Sequence, residues 1–290
     1  MAYSIGVVCS IGVGPERGGR SRNEDNYLIC RDNQVTYLQG DMERKETGGG
    51  DGVLLAVCDG MGGHEDGHVA STTAARVIAK LYRPGAPKDP PRALLKYIQK
   101  THRRLYWTAR DKGPVSMGTT LSVCWLLNGS AAWAQVGDSR IYLFREDRLV
   151  LLTADHTRNE FARRDGLEEV FPEGETLAQN FIYGSRGMGD NTGLRLEPGL
   201  DSGLEPLAKD DRLLICSDGL WGSVDDASIA DVLRNTPDPQ AAAVALMERA
   251  VARGSLDNIT VLVVRVQGTE PPALPEWEDE DDGEESTVMF

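Results

Sequence analysis

The chain has 290 residues, of which 40% are hydrophobic, enough to build a sizeable buried core. Its formal net charge is −14, and a mildly acidic body without a basic block argues against nucleic acid or anionic lipid as a partner. No apolar run approaches the roughly 18 residues of a membrane span, and residues 1–10 lack the pattern of a signal peptide.

The cysteines indicate the compartment. They are odd in number, form no Cys-x-x-Cys pair and lie mostly inside apolar runs: Cys9, Cys30, Cys58, Cys124 and Cys216. Such thiols are typical of a reduced, cytoplasmic protein, which is the localisation we expect.

Short apolar or alternating runs predict strands along the chain. In chain order they cover residues 53–58, 121–127, 132–136, 141–144, 149–152, 213–216 and 259–266. Asn128-Gly129 separates the second and third of these runs and is a strong hairpin signal, so the flanking strands should be antiparallel neighbours.

Helical patterns separate the groups of strands. Ala74, Val77, Ile78 and Leu81 fall at i, i+3, i+4 and i+7, which predicts one apolar helix face. A second such face contains Leu94, Ile98 and Leu105 and follows the Pro-rich residues 84–91; a third helix is predicted over residues 239–253, before Gly254. Because helices and strands do not alternate strictly, we expect an α+β fold, a sandwich of two antiparallel β-sheets flanked by helices.

The pattern predicts one domain over residues 1–268 and an acidic, disordered tail over residues 269–290. Residues 276–285 hold eight carboxylates and no base, so the remainder of the chain carries −6. Residues 155–206 show little periodicity and many glycines, and a stretch of this length is typical of a functional flap.

Four aspartates lie at the ends of predicted strands: Asp59, Asp138, Asp218 and Asp257. Strand ends and starts meet at one edge of an antiparallel sheet, so these carboxylates could cluster. Such a cluster favours a hard cation such as Mg²⁺ or Mn²⁺. Asp-Gly is also a common turn dipeptide, so any one of these residues alone could be an ordinary turn residue.

Six longer strings occur in order along the chain. They are Arg20-Ser21-Arg22-Asn23-Glu24-Asp25, Asp59-Gly60-Met61-Gly62-Gly63, Gly118-Thr119-Thr120, Gly137-Asp138-Ser139-Arg140, Ser217-Asp218-Gly219-Leu220-Trp221 and Asp257-Asn258-Ile259-Thr260. Together they resemble the metal-dependent protein phosphatases of the type 2C (PPM) family, particularly its bacterial branch, over about residues 19–266. The resemblance implies a phosphatase domain with the same two-sheet fold.

The resemblance also implies roles for single residues. Asp59 would bridge two Mn²⁺ or Mg²⁺ ions, with the Gly60 carbonyl on the second ion and Asp218 and Asp257 completing the first. Glu24 would hold the second ion through water. Asp138, together with Asp218, would form a third, weaker site.

Arg20 would grip the substrate phosphate, and Arg22 is the nearby competitor for that role. The family implies that phosphoserine and phosphothreonine proteins, among them a Ser/Thr kinase and its targets, are hydrolysed by water activated at the binuclear centre. A monomer is the family default.

One departure leaves the general acid open. Many eukaryotic relatives carry histidine directly after Asp-Gly, whereas this chain has Met61, whose thioether cannot donate a proton. Either a metal-bound water or a nearby histidine must protonate the leaving group, and His64 is the nearest histidine.

Two other functions compete with this interpretation. His64-Glu65-Asp66-Gly67-His68 matches the HExxH pattern of zinc proteases, although its glycines disfavour the helix that this motif requires. Alternatively, the chain could be a phosphatase-like binding module without catalysis, although such modules usually lose ligands that are present here.

Overall fold

The computed structural model describes residues 1–62, 66–112, 117–156, 182–183 and 201–268. Most of the expected flap, residues 155–206, and the whole of the expected tail, residues 269–290, lie outside these ranges. The last six residues of the flap region are described, and they form a strand.

The strands are β1 (Ala2–Ser10), β2 (Asn26–Arg31), β3 (Gln34–Gln39), β4 (Met42–Thr47), β5 (Val53–Cys58), β6 (Gly60–Gly62), β7 (Met117–Thr119), β8 (Leu121–Leu127), β9 (Ser130–Val136), β10 (Arg140–Arg145), β11 (Arg148–Leu151), β12 (Ile182–Tyr183), β13 (Asp201–Pro206), β14 (Arg212–Cys216) and β15 (Ile259–Gln267). The helices are α1 (Gly67–Ala79), α2 (Pro90–Lys112), α3 (Asp218–Trp221), α4 (Asp226–Asn235) and α5 (Pro239–Ala252), and a 3₁₀ turn covers Pro15–Arg17.

Two antiparallel sheets form the body of the domain. One has the strand order β1-β15-β14-β10-β11 and the other β13-β9-β8-β5-β2-β3-β4. A small third sheet, β12-β7-β6, extends beside the second. The predicted α+β sandwich is therefore confirmed.

Strand β5 shows why the sheets pack as they do. All six of its residues are buried, because both faces of the strand are covered. Leu54, Ala56 and Cys58 belong to the core beneath α1 and α2, whereas Val53, Leu55 and Val57 face the other sheet. A run without polar alternation thus identifies a strand in the middle layer of the domain.

The helices cover the outer faces of both sheets. Helices α1 and α2 pack on the seven-stranded sheet, and α3 to α5 pack on the five-stranded one. Gln240 of α5 accepts a hydrogen bond from the Val7 amide at 3.0 Å and donates one to the Val7 carbonyl at 3.1 Å. These bonds satisfy backbone groups along β1, the edge strand of its sheet.

The local predictions are largely confirmed. Strands β5 and β8 have the predicted bounds, and Asn128 and Gly129 have φ angles of 47° and 80°, as a type I′ hairpin requires. Helix α5 ends just before Gly254, whose φ is 82°.

The sequence patterns did not predict β1 to β4, β6, β7, β12, β13, α3 or α4. Strand β4 is exposed at every position and so has no apolar signal. Within the described ranges, no helix combines the length and the apolar character that crossing a membrane requires.

Candidate active site

The four aspartates named from the sequence meet at one edge of the sandwich. Asp59 follows β5, Asp138 follows β9, Asp218 opens α3 directly after β14, and Asp257 precedes β15. Burial raises the pKa of Asp59 well above its usual value, and repulsion from the charges of the other three raises it further. The predicted cluster is thus present in the structure.

The neighbouring carboxylates show the same crowding. Burial and repulsion from Asp257 raise the pKa of Asp218, although a hydrogen bond with Asp59 partly offsets the rise. Burial, followed by repulsion from Asp218 and Asp155, raises the pKa of Asp138 to about 7. This edge therefore carries more negative charge than the protein alone stabilises.

Asp25 also belongs to the cluster, although sequence reasoning did not single it out. It is buried and accepts hydrogen bonds from Ser217 Oγ at 2.8 Å and from Thr260 Oγ1 at 2.7 Å. Burial is the largest cause that raises its pKa to about 7. In the sequence, Asp25 is marked only by its position directly after Glu24. Its proximity to Asp218 becomes visible only in the folded chain.

Arg20 lies in the same cluster and forms a bidentate ion pair. Its Nε and Nη2 donate to the two carboxylate oxygens of Asp257, each at 2.7 Å. The Arg20 side chain remains 57% exposed, so part of the guanidinium faces solvent. Arg22 is also exposed, and its backbone carbonyl accepts a hydrogen bond at 3.0 Å from the Asn258 amide.

Glu24 lies beside the start of α1. Burial raises its pKa, while Arg20, His68 and the Gly67 amide oppose this rise. A Cβ on Gly67 would lie 2.7 Å from the Glu24 carboxylate carbon, and a Cβ on Gly60 would overlap the Glu24 carbonyl oxygen. Both glycines are therefore needed for β6, α1 and the Glu24 segment to approach one another.

Asn258 fastens the Arg20–Glu24 segment to the start of β15. Its Oδ1 accepts a hydrogen bond at 2.9 Å from the Glu24 amide, and its Nδ2 donates to the Arg22 carbonyl. The chain order gave Asn258 no such role, because its partners lie more than 230 residues away.

Arg140 supports the Asp138 loop. It pairs with both oxygens of Asp155 at 2.9 and 2.7 Å, and its guanidinium lies 3.6 Å from the ring centre of Trp221. Trp221 in turn donates to the Asp138 carbonyl at 3.0 Å. The Gly-Asp-Ser-Arg string therefore supplies one member of the acidic cluster and the residue that braces its loop.

The residues fit a hard divalent cation by their chemistry. Asp218 Oδ1 is buried and, among the described residues, has no hydrogen-bond partner. The donors are oxygens, and their charges repel, which are the conditions that a divalent ion relieves. In the described part of the chain, however, no three acidic, histidine or cysteine side chains form a closed ligand set. Arg20 engages Asp257 there, and Ser217 and Thr260 engage Asp25.

The HExxH alternative requires both histidines on one helix. Helix α1 begins at Gly67 and contains His68. His64 and Glu65 lie outside the described residues. Met61 lies in β6 opposite Gly118 of β7, and neither residue has a side chain that can donate a proton.

A groove of about 530 Å³ opens beside the cluster. Arg20, Asp218 and Asp257 line it together with small residues, including Gly19 and Gly222. Leu256, which is 56% exposed, adds an apolar contact at its wall. Among the described residues, the groove gives open access to Asp218 and Asp257.

Comparison with known proteins is consistent with this site. The sequence pattern of the protein phosphatase 2C family matches residues 32–259. The serine/threonine phosphatase stp of Listeria welshimeri is 29% identical over 218 residues, which cover 73% of this chain and 83% of that protein.

Two solved structures are similar over most of the chain. The serine/threonine phosphatase of S. agalactiae superposes with a TM-score of 0.71 at 26% identity, covering 92% of this chain and 100% of that one. The catalytic domain of the serine/threonine protein phosphatase PstP, in complex with two manganese ions, gives a TM-score of 0.70 at 27% identity, covering 92% and 99%.

Proposed function

The chain belongs to the protein phosphatase 2C family of metal-dependent protein serine/threonine phosphatases, and we propose that the acidic edge is its catalytic centre. The observation that carries this proposal is one open groove lined by Asp218, Asp257 and Arg20, with Asp59 close enough for its charge to interact with both aspartates. Carboxylates that repel one another provide ligands for cations, and the guanidinium provides a phosphate contact.

We propose the ligands that the family resemblance implies. Asp59, Asp218 and Asp257, together with the Gly60 carbonyl, would hold two Mn²⁺ or Mg²⁺ ions. Glu24 would hold the second ion through water, and Asp138 with Asp218 would offer a weaker third position. When bound, such ions lower the pKa of water and offset negative charge on phosphate oxygens.

The protein's own groups bind and orient the substrate. Arg20 can present two parallel donors to phosphate oxygens, the geometry that it shows toward Asp257. Asn258 holds the backbone of the segment that carries Arg20 and Glu24. The distance between the proposed phosphate contact and the proposed metal ligand is therefore fixed. The groove wall at Leu256 would contact the polypeptide that carries the phosphate.

The source of the proton for the leaving alkoxide stays open between water and a histidine. Met61 has no proton to donate, and His64 lies outside the described residues. The pH dependence of the hydrolysis rate, compared between wild type and His64→Gln, separates the two sources. Only if the histidine is the donor should the variant be slower and the basic limb of its pH profile be altered.

We further propose phosphoserine and phosphothreonine proteins as substrates, among them a Ser/Thr kinase and its targets. All five cysteines are unpaired, and burial is the largest cause of a raised pKa in each of them. Such thiols suit the cytoplasm. We expect the protein to act as a monomer.

The test is hydrolysis by the purified chain with Mn²⁺ of phosphothreonine, phosphoserine and phosphotyrosine peptides of one sequence. We expect release of phosphate from the first two and much slower release from the third. If neither these peptides nor p-nitrophenyl phosphate is hydrolysed, the chain is an inactive binding module and the proposed centre is not catalytic.

A further inference from the structure

A basic groove lies between α1 and α2, on the outer face of the seven-stranded sheet. Its volume is about 410 Å³. Four cationic side chains line it: Arg76 of α1, Lys80 directly after α1, and Lys100 and Arg104 of α2. The hydroxyls of Thr73 and Thr108 complete its polar lining, and Val77 lies at its floor.

The groove concentrates positive charge in an acidic protein. Residues 67–112 contain eleven Lys and Arg against two Asp, a charge of +9, while the whole chain carries −14. The expectation of a body without a basic block is therefore wrong for this helix pair. Separation of charge on this scale creates a local positive potential that attracts polyanions.

The four cations are available for a ligand. All four are exposed, and within the described ranges none forms a salt bridge with a carboxylate. Lys100 lies 4.9 Å from the centre of the Tyr97 ring, a contact that leaves its ammonium hydrogens free to donate. Like charges gathered without counter-charges repel one another, so an anionic occupant would relieve the repulsion.

We propose that the groove binds the acidic segment of the same chain, residues 276–285. That segment carries eight carboxylates and no base, which complements the four cations of the groove and the further bases of α2. Because the segment is covalently attached, its effective concentration at the groove is in the millimolar range for a flexible connection. The attached acidic segment therefore competes for the groove better than most separate anions in solution do.

The chain can span the distance. The groove extends to Lys80, next to Tyr82, which packs against Gly48 and Gly50 at the end of the sandwich away from Asp59. Strand β15 leaves Asp257 and ends at Gln267 toward that same end, where Gly268 lies near Lys209.

The length of the connection also suffices. At roughly 3.3 Å per residue, the 8 to 17 residues from Gly268 to the acidic segment reach about 26 to 56 Å. A domain of this size has a radius of gyration of about 18 Å, so the segment can pass around the flank of the sandwich.

Zero-length carbodiimide coupling tests the contact in the full chain. It joins carboxylates to amines that touch, and mass spectrometry locates the bonds. We expect residues 276–285 to couple to Lys80 and Lys100 more than to Lys209, near the start of the tail, or to Lys45 on β4. Equal coupling to all four lysines overturns the proposal, as does coupling found only between isotopically distinct chains.

A competition experiment gives an independent readout. The probe is a labelled peptide of residues 274–287, and the host is the full chain with the eight carboxylates of residues 276–285 replaced by amides. We expect the peptide to bind this host at least about tenfold more tightly than wild type, whose own segment occupies the groove. Equal affinity for the two chains overturns the proposal.

Matched variants of that host locate the binding. Arg76→Gln, Lys80→Gln, Lys100→Gln and Arg104→Gln together should weaken the peptide at least about tenfold, since four charge contacts are lost. The control removes four exposed bases elsewhere, Arg44→Gln, Lys45→Gln, Arg148→Gln and Lys209→Gln, and should weaken it less than about threefold. Equal losses of peptide affinity in the groove variant and the control variant would indicate attraction to net charge alone and would overturn the proposed site. Neither readout depends on the phosphatase activity.

Discussion

A guanidinium that can hold a carboxylate through two parallel hydrogen bonds can hold two phosphate oxygens in the same way. Arg20 shows this geometry toward Asp257, whereas the Arg22 carbonyl serves as a backbone anchor for Asn258. We therefore propose Arg20 as the phosphate contact.

Arg20→Lys should raise KM for a phosphothreonine peptide by about tenfold, because an ammonium cannot reproduce the bidentate contact. Arg22→Lys is the matched control and should change KM by less than about twofold. Steady-state kinetics at saturating Mn²⁺ measures both. A larger effect at Arg22 would transfer the phosphate contact to that residue.

Leu256 offers a second test at this scale. Leu256→Ala should raise KM for a phosphopeptide by about fivefold, through loss of about 1 kcal/mol of apolar contact, and leave p-nitrophenyl phosphate unaffected. Met42→Ala, at a residue that is 68% exposed and outside the groove, should alter neither substrate. Equal effects of Leu256→Ala on both substrates would count against a peptide contact.

Single residues were predictable where a strand end marked them. Asp59 and Asp218 follow buried apolar strands, so their position at a sheet edge could be inferred from periodicity. Asp25 and Asn258 could not be ranked in this way, because their roles depend on partners that are distant in sequence.

At the scale of elements, Asn258 joins the start of β15 to the segment before β2. Asn258→Ala should lower the free energy of unfolding by about 2 to 3 kcal/mol, since it leaves the Glu24 amide and the Arg22 carbonyl without their partner. It should also lower kcat, because Arg20 and Glu24 lose their common support. Denaturant unfolding and peptide kinetics measure the two effects.

The control for this variant is Asn235→Ala. The Asn235 amide bonds only to Asp231 within α4, at an exposed position, so its loss should cost less than about 0.5 kcal/mol and leave kcat unchanged. Similar losses for the two variants would mean that Asn258 is an ordinary surface amide.

Several buried elements were predicted from the sequence, whereas some exposed or polar ones were not. The wholly buried β5 and β8 and the Asn-Gly hairpin were predictable because apolar runs and turn chemistry are local signals. The exposed edge strand β4 and the polar strand β13 were not, since their pairing with β3 and β9 defines them.

For the whole molecule, the crowded carboxylates make stability depend on pH and on metal. The folded-state pKa of Asp138 is raised to about 7, above its ordinary value of 3.8, so the folded state binds that proton more tightly than the unfolded state does. The stabilisation from this proton is complete below about pH 4 and is lost as pH rises through about 7.

In chelator, Asp138→Asn should therefore be more stable than wild type at pH 8, by on the order of 1 kcal/mol, and the difference should vanish near pH 4. Asp41→Asn, at an exposed position, is the control and should show no such trend. Urea unfolding across this pH range measures the difference. A wild type that is the more stable protein at pH 8 would contradict the repulsion inferred at this edge.

The metal centre built on Asp59 is tested by phosphothreonine peptide hydrolysis titrated with Mn²⁺ after chelation. The titration compares wild type with Asp59→Asn and Asp218→Asn. We expect activity to appear only with metal in wild type and to fall by roughly a thousandfold in Asp59→Asn, and we expect Asp218→Asn to need a higher Mn²⁺ concentration for its activity. Activity that persists in chelator, or that is unchanged by Asp59→Asn, would contradict a metal centre built on Asp59.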